Sequence, residues 1–201
     1  MWNKIAKSIS IILHPYLVPT YIVLIILGTD SVFALYPMRL KFYMLWVSML
    51  YSLILPLITY EASQFIGRNP RYGFLRRNPR CTALIVSTCC YTLGAINFMG
   101  RESLGIFFEI ATIGLCCCVI MLLCLKWWRI SPHMIAVGAA ITLLTTLNII
   151  GRSSHLTALL TAILLTGCLA SARLYLGHEN QKQVAWSLFA GIVACVITLL
   201  I

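Results

Sequence analysis

Charge is what this sequence has least of. Only 10% of its 201 residues are Asp, Glu, Lys or Arg, where a soluble domain carries roughly 25%. Acidic residues are scarcest: Asp30, Glu61, Glu102, Glu109 and Glu179 stand against 15 Lys and Arg, for a net charge of +10. No CxxC pair and no His/Cys cluster has metal-ligand spacing, which argues against a zinc site or an iron–sulfur cluster; no cofactor or metal is expected. Strands of alternating polarity are missing too, which excludes a membrane β-barrel. No small-residue cleavage site precedes the segment HPYLVP (14–19), so the Lys-flanked first apolar run is read as retained.

What fills the chain instead is apolar. With 61% hydrophobic residues and a mean hydropathy of +0.94, nearly the whole length divides into runs of about 20 residues, the length needed to cross a bilayer as a helix. The expected fold is all-α: one integral membrane domain over residues 1–201, a polytopic bundle of six to seven spans. Gly, Pro and charges bound helices at about 5–28, 39–65, 80–98, 104–126, 132–150, 154–176 and 182–201. His14, Pro15 and Pro19 interrupt the first, which reads either as a span or as an interfacial helix followed by a short one. Cys89, Cys90, Cys116, Cys117, Cys118, Cys124, Cys168 and Cys195 fall well inside these runs, where cysteine acts as a small hydrophobe.

Alternating the helices sorts the basic residues unevenly. One rim takes Lys4, Lys7, Arg68, Arg71, Arg76, Arg77, Arg80, Lys126, Arg129, Arg173 and Lys182; the other takes only Arg39, Lys41, Arg101 and Arg152. By the positive-inside rule the rich rim is cytoplasmic, unless its charges serve an anion site, so orientation stays open. Five acidic residues are too few to neutralise the loop RNPRYGFLRRNPR, which therefore faces lipid head groups or a phosphorylated ligand. Charges at span ends of an apolar chain do not suit nucleic-acid binding, and no inverted repeat suggests a transporter.

Two further segments lie on the basic rim. In RISPHMIAVGAA, Ser131, Pro132 and His133 open a helix, placing N–H groups and an imidazole at the positive end of its dipole. In SARLYLGHENQKQV, Arg173 ends one helix, His178 lies in the turn and Gln183 begins the next. Guanidinium forks to hold phosphate oxygens, one histidine to attack phosphorus and another to protonate the leaving oxygen are what phosphoryl transfer through a covalent intermediate requires.

These residues resemble the type 2 phosphatidic acid phosphatases, or PAP2-like phosphatases, especially the short divergent membrane members of Bacteroidetes-type bacteria. The family's three motifs are a basic stretch ending in Arg-Pro, then Pro-Ser-Gly-His, then Ser-Arg followed by histidine and aspartate. They correspond to Arg76, Arg77 and Pro79; to Ser131, Pro132 and His133; and to Ser171, Arg173 and His178. The likeness runs over roughly residues 68–191, within a PAP2-like core of about 68–201. It implies His178 as nucleophile, His133 as the acid on the leaving group, and Arg76, Arg77, Arg173 and Ser131 as phosphate ligands. It also implies residence in a bacterial inner membrane. Four departures stand out: the first motif reads RRNPR, with Pro79 ahead of Arg80 instead of after the key arginine, SPH has proline where the family has glycine, His178 follows Arg173 by five residues instead of six, and Gln183 replaces the supporting aspartate. Gln183 can orient a histidine but supplies no charge to stabilise an imidazolium.

Two functions fit this pattern. One is a metal-independent phosphatase acting on a membrane lipid or polyprenyl phosphate; the other is a catalytically silent relative that binds anionic lipid or a membrane partner.

Overall fold

The computed structural model describes residues 2–29, 33, 35–66, 79–100, 104–125, 129–150, 156–177 and 179–200. Among them are eight helices: α1 (Trp2–Ile12), α2 (Val18–Thr29), α3 (Met38–Met49, continued by a π-helical stretch Leu50–Ile54 into Leu55–Ile66), α4 (Pro79–Phe98), α5 (Gly105–Cys124), α6 (Pro132–Ile149), α7 (Leu156–Tyr175) and α8 (Gln181–Leu200). The six helices α3 to α8 are long and apolar enough to cross a bilayer. The chain is thus an all-helical integral membrane protein.

The first apolar run divides in two for a local reason. Pro15 has no N–H to give and disfavours helical geometry at His14 before it, so α1 stops and residues 13–17 form a turn. Pro19 falls in the first turn of α2, where no intrahelical donor is needed. The 12 residues of α2 extend about 18 Å at 1.5 Å per residue, short of a hydrocarbon core of about 30 Å. Among the described residues a short amphipathic helix is accordingly followed by a short apolar one and then by six of full span length.

Pro56 explains the π turn in α3. A proline ring displaces the carbonyl four residues back, and the wider turn accommodates it. The carbonyl's owner, Ser52, is buried and bonds Thr20 of α2 through the two hydroxyls at 3.2 Å. Other hydroxyls inside the spans, such as those of Thr88, Thr142, Thr145 and Thr166, bond the carbonyl four residues earlier, which satisfies them where no water is available.

At the centre of the bundle α6 buries Met134, Ile135, Leu143 and Leu144. It meets α8 at backbone distance: a Cβ added to Gly138 would strike the Leu188 carbonyl, and one added to Gly191 the Ile135 carbonyl. Gly114 of α5 likewise lies against the ring of Tyr91 of α4. At the rim opposite Arg173, the rings of Phe33, Phe98 and Phe107 pack together. The outer faces carry Phe42, Trp46, Ile58, Leu93, Leu164 and Phe189 in exposed positions, as a lipid-facing surface demands.

Candidate functional site

Helix parity brings the ends of α3, α5 and α7 and the starts of α4, α6 and α8 to one rim, beside the turn between α1 and α2. Ser131 is the N-cap of α6, extended at φ −82 and ψ 119, with its hydroxyl accepting from the Met134 N–H. Its own N–H donates to the Ser187 hydroxyl of α8 at 2.8 Å, and that hydroxyl donates to the Gln183 carbonyl. The start of α6 is in this way tied to the first turns of α8.

Arg173 lies in the last turn of α7. Gly177, at φ +65, supplies the left-handed residue that ends the helix, and the chain turns back to place Glu179 under the guanidinium. Arg173 donates from Nε and Nη2 to Glu179 Oε1, at 2.9 and 2.7 Å, and the Ser131 hydroxyl donates to the same oxygen at 2.6 Å. The side chains of Arg173 and Glu179 are only 17% and 7% exposed, so water screens this pair little. Glu179 Oε2 is buried and has no hydrogen-bond partner among the described residues.

His133, half-buried in the first turn of α6, has Arg173, Glu179 and His14 as its electrostatic neighbours. Its Nδ1 is buried and lacks a hydrogen-bond partner among the described residues. The His14 ring stands edge-on to it with centroids 5.6 Å apart. His14 Nδ1 accepts from the Tyr16 N–H at 3.4 Å, and burial pulls its pKa below the usual 6.5. The Tyr16 hydroxyl bonds that of Ser87 at 2.9 Å and anchors this turn to α4.

Below the two imidazoles a cavity of about 400 Å³ extends into the bundle. Glu61, Arg80 and Arg129 join His14 and His133 in its polar wall, and Ile22, Ile110, Ile113, Ala140 and Leu143 line its apolar part. The cavity thus joins a charged, polar wall to an apolar interior.

The structure therefore brings Ser131, Arg173 and His133 together. Gln183 begins α8 nearby, where its Oε1 accepts from the Asn180 N–H at 3.1 Å; this is the glutamine half of a capping box, and it commits the amide oxygen to the helix start. His178, Arg76 and Arg77 lie outside the described residues. Sequence reasoning missed His14, which reads as a mere helix break, and the central place of Glu179. The only advance signal was the scarcity of carboxylates, which makes any buried one notable. Among the described residues no three His, Cys, Asp or Glu side chains converge on a metal-binding position.

Compared with protein-family models, curated proteins and solved structures, the chain has no significant match.

Proposed function

We propose that this protein is a metal-independent membrane phosphatase that dephosphorylates a lipid or polyprenyl phosphate through a phosphohistidine intermediate, in the manner of the PAP2-like enzymes it resembles. One observation carries the reading: Ser131 and Arg173, far apart in the chain, donate to a single carboxylate oxygen, and His133, an electrostatic neighbour of that group, lines a cavity with apolar depth. A carboxylate oxygen and a phosphate oxygen take the same guanidinium and hydroxyl donors. In this reading Arg173, with Arg76 and Arg77, holds the phosphate. His178 forms a bond to phosphorus as the ester P–O bond breaks, and His133 gives its proton to the leaving oxygen. Water then attacks the phosphohistidine and releases phosphate.

The test is phosphate release by purified protein, without added metal, from phosphatidate, phosphatidylglycerophosphate, lipid A and undecaprenyl diphosphate. Replacement of His133 by alanine is expected to lower kcat by about 10²–10⁴, the usual contribution of a general acid. Folded wild-type protein that releases nothing from the whole panel would eliminate the reading.

The cavity makes a separate prediction about the tail. Ala140→Phe, which places a ring in its apolar part, is expected to lower kcat/KM for long-chain phosphates while sparing a short-chain soluble one. Equal losses on both would mean that the tail lies elsewhere.

A second reading, a silent relative that binds anionic lipid, is favoured by two observations. Glu179 Oε1 already takes the Ser131 and Arg173 donors that a phosphate would use, and the Gln183 amide oxygen is engaged in capping. Its mark is lipid binding without turnover that disappears when Arg76, Arg77 and Arg173 are all replaced by alanine. Undiminished binding by that triple variant would dismiss it.

A further inference from the structure

We propose that Glu179 is a specificity-determining residue: its carboxylate holds the phosphate seat in the resting protein and yields it to a doubly charged terminal phosphate but not to the singly charged diesters of the surrounding bilayer. The inference rests on the function proposed above.

Among the described residues the seat has three donors, the Ser131 hydroxyl and Nε and Nη2 of Arg173, and all three converge on Glu179 Oε1. An arginine clip built only for stability would use the fork on both carboxylate oxygens, one bond to each. Here the fork closes on one oxygen, and Oε2 is left buried without a hydrogen-bond partner among the described residues. A buried polar atom without a partner carries a desolvation penalty, so this pair is weaker than its short distances suggest and suited to exchange.

The placement of Glu179 suits exchange as well. It sits in the short connection between α7 and α8, after Gly177 at φ +65 and before the capped start of α8, so it can withdraw without moving either helix. An incoming phosphate must offer Arg173 more than the carboxylate does. A phosphate monoester carries close to two charges above its second pKa of about 6, and it has three free oxygens. A phosphodiester carries one charge, the same as Glu179, and has no Coulombic advantage. A protein embedded among diester lipids faces them in large excess, and a resident anion of equal charge keeps them off the arginine.

The experiment uses full-length protein in detergent at pH 8, with dioctanoyl phosphatidate as monoester and dioctanoyl phosphatidylglycerol as diester, and measures binding of each calorimetrically. Wild type is expected to prefer phosphatidate. In Glu179→Gln both lipids are expected to bind about tenfold tighter or more, the scale of one lost competing ion pair, and the diester to gain more, so that discrimination narrows. Glu179→Asp, one methylene too short to reach both Ser131 and Arg173, is expected to shift the same way and serves if the glutamine variant folds poorly. Unchanged or weaker phosphatidate binding in both variants, beside measurable wild-type binding, overturns the role of Glu179 alone. If neither wild type nor either variant binds phosphatidate, the phosphate seat itself falls, and the proposed function with it.

Discussion

Arg173→Ala is expected to abolish phosphate binding and to lower the unfolding temperature sharply. Without the guanidinium, Glu179 keeps a 93% buried carboxylate with the Ser131 hydroxyl as its remaining donor among those described. Removing one partner of a buried ion pair typically costs about 3–5 kcal/mol, because the other charge stays behind unpaired. The double variant Arg173→Ala with Glu179→Gln separates the two effects. It should recover much of the lost stability, since no unpaired charge remains, yet still fail to bind phosphate, since the fork is gone. Thermal unfolding in detergent and phosphatidate binding, measured on both single variants and the double, complete the cycle. A single variant as stable as wild type would show that the pair is solvated and marginal; a double variant that binds phosphatidate would show that the seat is elsewhere.

The fold was open to sequence reasoning because lipid leaves a chain few choices. Every backbone polar group must be satisfied inside its own helix, so apolar runs of span length become helices, and Gly, Pro and charge mark their ends. The starts of α4 and α6 fall within one residue of where composition alone places them. Parity did the same for the site. Because helices alternate, Ser131 at the start of one and Arg173 at the end of the next must share a rim, and their contact through Glu179 follows from that constraint.

What sequence could not supply were contacts decided by a turn or by shape. His14 lies outside the stretch that carries the motif likeness, and only the fold of the α1–α2 turn brings its ring against His133. Glu179 reads as a neighbour of His178; it is the left-handed Gly177 that directs its carboxylate back to Arg173. Gln183 stands at the place of an aspartate in the motif, while its bond to the Asn180 N–H is a local capping contact of the kind S/T/D/N-x-x-E/Q announces. Asn180 and Gln183 have that spacing, so this contact was legible in principle.

Gly138 and Gly191 let α6 and α8 meet at backbone distance. This makes Gly191→Leu the second large prediction. The atoms a Cβ would meet at Gly191 are the Ile135 carbonyl and the Ala139 nitrogen, the latter at 2.9 Å. Both are backbone, so no rotamer change relieves the overlap, and α6 and α8 must separate. Between spans there is no hydrophobic drive to restore contact; packing and hydrogen bonds hold the pair. Overpacking a close-packed interior commonly costs about 1–3 kcal/mol, and here the consequence reaches the rim. Separation of the two helices pulls Ser187 away from the Ser131 N–H and so loosens the N-cap whose hydroxyl donates to Glu179. Gly191→Leu is therefore expected both to lower the unfolding temperature and to weaken phosphatidate binding. Gly167→Leu in α7, where nothing lies within 4 Å of an added Cβ, provides the contrast: a leucine there meets only open space and should leave both measurements near wild type. If the two substitutions behaved alike, the glycine contact between α6 and α8 would not be what keeps the start of α6 in register with the site.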